Sequence, residues 1–292
     1  MISVLILTRD EERNLPGCLE SVAWSDDVHV YDSYSGDRTV EIARERGARV
    51  TQRAFDDYAS QRNAALHGVE FAHPWVLVLD ADERVPAPLQ HEILRFVSAP
   101  PDGVAACRIR RRDFLYGTWL RHAQLSAWYI RLVRPIRVRY AREVNEVLKV
   151  EGRIADLREA FDHYPFSRGM RHWLDKHNAY SSMEARLALG SRRGAVPYSL
   201  RAALLGRDFN DRRYHQKELF YRLPARPLIK FLFLYVLKRG FLDGRAGFTY
   251  AMLQAIYEYM IVLKTREIEV AGRDPAAAMV TRQGETNVPD IR

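Results

Sequence analysis

The chain has 292 residues, 47% of them apolar and 11% aromatic, which suits one or two folded domains and excludes a disordered chain. Cys18 and Cys107 are its only cysteines, too few for a disulfide scaffold and without metal-ligand spacing. The net charge of +8 is unevenly placed: residues 1–103 carry 10 basic and 18 acidic side chains, residues 104–142 carry 10 arginines against Asp113, and residues 201–240 carry 10 basic against 3 acidic. An acidic segment able to hold a cation is thus joined to basic stretches able to meet nucleic acid, anionic lipid or a phosphate-bearing substrate.

The opening MISVLIL lacks a basic leader and a cleavage site, so it reads as a first strand in a cytoplasmic protein. Strands are expected over 2–8 (ISVLILT), 28–32 (VHVYD), 48–53 (ARVTQR) and 75–80 (WVLVLD). Helices are expected between them, in EERNLPGCLESV, in RTVEIARERG (capped by Asp37 and ended by Gly47) and near YASQRNAALHGV. Apolar strands alternating with amphipathic helices predict a doubly wound α/β sheet that is mostly parallel, with ligands beyond the carboxyl ends of its strands. Thr8, Asp32 and Asp80 fall at such ends.

Arg108–Arg112 and Tyr129–Tyr140 read as later strands, and residues 167–190 as a helix with Trp173, His177, Tyr180 and Glu184 near one face. A linker is expected around Gly190–Pro197. Two apolar stretches follow, 227–244 with basic ends and 248–263. Neither reaches the ~20 residues of a membrane-spanning helix. They suit either the bilayer interface or a packed helical hairpin. The polar tail from Gly272 is expected to be disordered.

Asp80 and Asp82, two apart at the end of the most apolar strand, would face the same way in an extended chain and offer hard oxygens to Mg²⁺ or Mn²⁺. A lone D-x-D is a weak signal, and Asp32 at a second strand end strengthens it. Neither a receiver domain, which ends sooner, nor a dehalogenase-type phosphatase, whose D-x-D follows the first strand, accounts for the whole chain.

The segments SVLILTRDEERNLPGCLESV, VYDSYSGDRTVEIARERGARV, QRNAAL and WVLVLDADERV together resemble family 2 glycosyltransferases of the GT-A fold. The D-S-x-S-x-D-x-T segment at 32–39, with GTWLRH (117–122), KHNAYSSMEA (176–185) and GFLDGRAG (240–247), is similar to bacterial lipopolysaccharide-core β-glucosyltransferases. The resemblance implies a GT-A domain over 1–165, a helical acceptor or membrane-proximal region over 166–271 and a tail over 272–292. It implies inverting, metal-dependent transfer from a UDP-sugar, UDP-glucose or a similar hexose, to a saccharide of lipopolysaccharide core or another envelope glycan. The enzyme would lie at the inner face of the plasma membrane.

By position, the resemblance places Thr8 and Asp10 on the nucleotide, with Asp10 standing where the family usually has Asn. It puts Asp32 on the uracil N3–H, Arg62 on phosphate, Asp80 near ribose or metal and Asp82 on the metal. Arg121, His122 and Lys176 are diphosphate candidates. The stretch REVNEVLKV offers Glu146 as catalytic base, with Asn145 where relatives often have His; Asp113 and Glu83 are the other candidates. His163, His172 and His177 show no zinc pattern and read as structural. A nucleotide-sugar-binding protein without transfer activity, or a basic nucleic-acid-binding protein, are the alternatives.

Overall fold

Along the first strand, Val4 and Ile6 point to one side and Leu5 to the other, and all three are fully buried. A strand covered on both faces needs apolar residues at every position, which is why ISVLIL reads as a continuous run. Each such side chain contributes about 1.5–3 kcal/mol when buried.

A computed structural model describes residues 1–124, 128–141, 147–193, 199–206 and 209–271. The chain divides into two units: Met1–Trp119 with Gln124–Ser167, and Leu120–Ala123 with the chain from Arg168 onward. In the first, β1 (Ser3–Thr8), α1 (Leu15–Ser21), β2 (Asp27–Asp32), α2 (Thr39–Glu45), β3 (Arg49–Gln52), α3 (Tyr58–Gly68) and β4 (Val76–Asp80) alternate as expected. Then come β5 (Glu83–Arg84), α4 (Ala87–Ser98), β6 (Val104–Leu115), β7 (Thr118–Trp119), β8 (Trp128–Val133), β9 (Val138–Ala141), β10 (Val147–Val150) and β11 (Arg153–His163).

The sheet order is β3-β2-β1-β4-β8-β6-β11-β5. Its first four strands are parallel, β8 runs antiparallel between β4 and β6, and β6 and β11 are parallel. Parallel register sets Thr8 beside Asp32 and Leu7 beside Asp80, so the three expected strand ends share one edge. The core on one face joins Val4, Ile6, Leu15, Cys18, Leu89 and Ile93; on the other, Leu5, Val76, Val78, Ala65 and Leu66 pack together.

The segment expected as one strand over Tyr129–Tyr140 is broken. A 3-10 turn at Pro135–Arg137 separates β8 from β9, because Pro135 has no N–H for a ladder.

The second unit is helical: α5 (Met170–Arg193), α6 (Leu200–Leu205), α7 (Phe209–Arg222), α8 (Arg226–Leu232) and α9 (Gly244–Ala271). Helix α5 continues through Gly190, where a linker was expected; the rest of that linker and the tail from 272 lie outside the described residues. The stretch 227–244 is not one helix. α8 passes into a π-helical turn (Phe233–Leu237), then a 3-10 turn (Gly240–Asp243) bounded by positive φ at Arg239 and Gly244. No helix among the described residues is long and apolar enough to cross a membrane.

Candidate active site

The edge formed by the β1, β2 and β4 ends is a hydrogen-bonded cluster centred on carboxylates. Asp32 is fully buried. It accepts hydrogen bonds from Thr8 Oγ1 (2.9 Å), the Ser35 N–H (2.9 Å), Gln52 Nε2 (3.1 Å) and the Ser35 hydroxyl. A carboxylate has about four acceptor positions, so these donors fill it. Asp10 serves the same loop from the other side. It sits at φ 54°, which Asp tolerates better than most residues; its N–H donates to Ser35 Oγ (2.8 Å), and its carboxylate accepts from the Gly36 N–H (2.7 Å). Tyr34 between them also has φ 54° and is 63% exposed. Asp37, expected to cap α2, lies one residue before the N-cap, which is Arg38 without a side-chain cap bond; its carboxylate accepts instead from the Thr39 N–H (3.0 Å) in an Asx-type turn and from the Glu12 N–H (3.0 Å).

Asp80 and Asp82 separate. Strand β4 stops at Asp80, and Asp82 lies in the turn that follows. The alternation that would have put both on one side therefore does not apply. Asp80 is held between two guanidiniums: Arg62 Nη2 at 3.1 Å on one oxygen and Arg131 Nη2 at 2.8 Å on the other. Burial opposes its charge, but the two arginines outweigh burial and hold its pKa far below the ordinary carboxylate range. Arg131, from β8, also binds Glu83, whose other oxygen accepts the Asp80 N–H (3.0 Å). Burial raises the Glu83 pKa, and Arg131 stays charged between its two partners.

Asp82 faces a histidine. His163, the last residue of β11, has Nε2 3.4 Å from Asp82 Oδ2 and Nδ1 2.7 Å from Asp113 Oδ1. Burial disfavours its cation, but Asp82 and Asp113 prevail and raise its pKa to about 9. Asp113 is itself buried against Arg111 (2.7 Å), which stacks over Tyr129. The turn carrying Asp82 is clamped by Arg84, whose guanidinium donates to the carbonyls of Ala81 (2.8 Å) and Asn14 (2.7 Å). Gly17 leaves room for that guanidinium; a Cβ there would stand 2.7 Å from Arg84 Nε.

The QRNAAL segment is spent on this edge. Gln61 donates to Ser33 Oγ (2.9 Å), Arg62 binds Asp80, and the Asn63 amide bonds both the Tyr140 N–H (2.8 Å) and its carbonyl (2.9 Å). Arg62, expected on phosphate, is thus placed on a carboxylate. Arg131 and His163 are the members the sequence reading missed as site residues. Arg131 is one arginine among ten in its segment, and His163 shows no local motif. Glu83 and Asp113 are enclosed in ion pairs, and Glu146 lies outside the described residues. Arg121 and Lys176 belong to the second unit, where both are exposed; Lys176 Nζ sits 5.7 Å from the Tyr180 ring.

Residues 3–175 match the profile described as Glycosyl transferase family 2. The chain belongs to that family. It is a glycosyltransferase, and its mostly parallel mixed sheet is the expected GT-A type. It is 26% identical over 271 residues to a lipopolysaccharide core biosynthesis glycosyltransferase, LpsC, of Rhizobium meliloti, covering 90% of this chain and 91% of that one. It is 25% identical to an uncharacterized glycosyltransferase of Rickettsia typhi over 95% and 90% of the two chains. Among solved structures, glucosyl-3-phosphoglycerate synthase of Mycobacterium tuberculosis, crystallised with Mn²⁺, UDP and glucosyl-3-phosphoglycerate, matches with 20% identity and a TM-score of 0.32. That match covers 38% of this transferase and 43% of the other chain.

Among the described residues no three His, Cys, Asp or Glu side chains gather as a ready metal cage. The Asp82–His163 pair could hold a divalent ion only by displacing the proton that Asp82 and Asp113 favour on the imidazole; it would then offer one oxygen and one nitrogen, with Asp113 fixing the ring orientation as a second carboxylate does at many metal-bound histidines. Asp80 has a guanidinium on each of its oxygens in this arrangement.

Proposed function

We propose that this transferase moves a hexose from a UDP-sugar to a saccharide acceptor on a lipid-linked envelope glycan, with inversion at the anomeric carbon. The observation that carries the reading is the division of labour at the β4 end. Asp80 is neutralised by Arg62 and Arg131, while Asp82 is turned to a histidine that a carboxylate orients. That leaves Asp82 and His163 to hold Mg²⁺ or Mn²⁺, which when bound would neutralise the leaving diphosphate. With so few protein ligands, diphosphate oxygens and water would complete the coordination.

The base-binding loop fits the same reading. Asp32 accepts the uracil imide N–H in exchange for a Ser35 bond, a charge-assisted interaction with strong discrimination. Asp10 and Tyr34 both take positive φ in the loops after β1 and β2, and Tyr34 offers an exposed ring for the uracil face. Thr8 keeps the Asp32 carboxylate oriented. Glu146 takes the acceptor proton in this scheme. The lipid-linked acceptor rests on the likeness to LpsC and on the basic, apolar second unit.

The deciding experiment is calorimetric titration of UDP into wild type and Asp82→Asn, each with and without Mn²⁺. Binding that needs Mn²⁺ in wild type and is lost in the variant is the expected result. Equal binding with and without metal, in both proteins, would remove the metal-dependent donor site from the scheme.

A further inference from the structure

We infer that the hairpin of α8 and α9 is a docking surface for a bilayer leaflet rich in anionic phospholipid, entering with the Phe241–Leu242 tip first. This goes beyond the donor-site reading and does not depend on it. Large apolar side chains are normally buried, yet here they are presented in register. Leu228, Leu232 and Val236 follow at i, i+4 and i+8, each between 47% and 57% exposed. At the tip, Phe241 and Leu242 are 48% and 57% exposed. Phe248 and Met252 continue the exposure onto α9.

These positions form one surface. The Tyr235 ring lies 6.3 Å from Phe241 and 5.5 Å from Phe248, which fastens the tip to the start of α9. A contiguous apolar patch of this kind marks an interaction site.

Charge selects the partner. From Arg226 to Lys264 the sequence has six basic residues and two acids, Asp243 and Glu258. Both acids are buried. Glu258 pairs with the buried Arg226 (3.4 Å). Asp243 lies in the tip itself but is turned inward, where its carboxylate accepts the His122 N–H (2.9 Å) and the Ala123 N–H (2.8 Å) and meets His122 Nδ1 (2.7 Å). The tip therefore presents Arg239, Phe241, Leu242 and Arg245 outward, two cations straddling two apolar residues, with no exposed carboxylate between them.

A second copy packed on this face would bring cation against cation. A leaflet with anionic headgroups supplies the opposite charge and lets the arginine stems lie along the acyl boundary. No described helix can span the bilayer, so the hairpin lies in the interface. The arrangement also accounts for two motifs that the donor site leaves unused, since WLRH and GFLDG meet through Asp243.

The test is flotation of the full-length protein with phosphatidylcholine vesicles, with and without phosphatidylglycerol. Wild type is expected to float only with the anionic vesicles, and to be released at ~1 M salt, where the Debye length is about 3 Å. Phe241→Ser with Leu242→Ser should lower the bound fraction at least tenfold. Arg239→Gln with Arg245→Gln should lower it by about 25-fold at low salt, from about fivefold per surface cation. Circular dichroism and calorimetric UDP titration serve as folding controls, which keeps a lipid result separate from a donor-site result. The inference is overturned if wild type stays unbound on anionic vesicles or if the tip variant floats as wild type does. It is also overturned if light scattering finds a wild-type dimer that the tip substitutions dissociate while vesicles are ignored.

Discussion

Asp80 and Asp82 carry the same side chain and have opposite surroundings. Asp80 balances two guanidiniums, so Asp80→Asn leaves two clustered cations with Glu83 alone. Breaking a fully buried pair costs about 3–5 kcal/mol, and because a third of the Asp80 side chain meets solvent we expect about 1–2 kcal/mol. Asp82→Asn loses a pair at 3.4 Å and leaves His163 its bond to Asp113, so it should cost less, about 0.5–1 kcal/mol. Urea unfolding of the two variants checks the order, and equal losses would mean that the arginines do not single out Asp80. At this scale the sequence was half legible. The strand-end acids could be seen because they interrupt an apolar run. Their separate roles could not, because those are set by Arg131, 51 residues away, and by His163 from another strand. Likewise Asp32 was legible as a strand-end acid, whereas its complete set of donors depends on a loop conformation with two positive φ angles that no residue type dictates.

Among the elements, those built on regular repetition were the readable ones. The four parallel strands, α2 and α3 matched expectation to within a residue or two, because burial on both faces demands apolar runs and because Gly47 follows the end of α2; α1 starts at Leu15, four residues after the expected Glu11, with Pro16 in its first turn. The element that escaped was 227–244, where uniform apolar composition conceals a π turn followed by a 3-10 turn. What shapes it is close backbone approach. A Cβ at Gly247 would collide with the Gly240 carbonyl oxygen and lie 2.9 Å from Asp243 Cβ. Gly247→Ala should therefore destabilise the protein by about 3 kcal/mol, since rigid backbone cannot yield as a flexible side chain could. Thermal melts would show this as a lower midpoint, whereas Gly68→Ala, with nothing near its added methyl, should melt within a degree or two of wild type.

For the molecule as a whole, the split in charge was visible from composition, and part of its physical use is now specific. The acidic first hundred residues contain the carboxylate edge, and the basic stretch after it supplies Arg131 to hold that edge. Stability should vary with pH through the second unit. His177 stacks on Trp173 at 3.6 Å and meets the Tyr257 ring edge-on at 5.1 Å. Burial, together with the charge of Lys176, lowers its pKa to about 4, against about 6.5 in an unfolded chain, although its bond to the Trp173 carbonyl works the other way. The unfolded state thus takes up a proton that the folded state resists. The stabilisation is whole above about pH 6.5 and declines as pH falls toward 4. Melting temperatures across that range should fall in wild type and fall less in His177→Phe; parallel curves would assign the acid limb to other groups.

The segment Leu120–Ala123 has a meaning for how this protein could be taken apart or could have been assembled. Four residues are lent by the strand-rich portion of the chain to the helical one, Leu120 and Ala123 are fully buried, and Asp243 is occupied by their backbone. A break after Ser167 would look like a clean boundary on a sequence map, yet it would strip that loan of its lender and leave two apolar side chains in water. The helical portion is for the same reason a poor candidate for exchange between relatives as a cassette. It would have to travel with Leu120–Ala123, whose backbone its Asp243 carboxylate accepts.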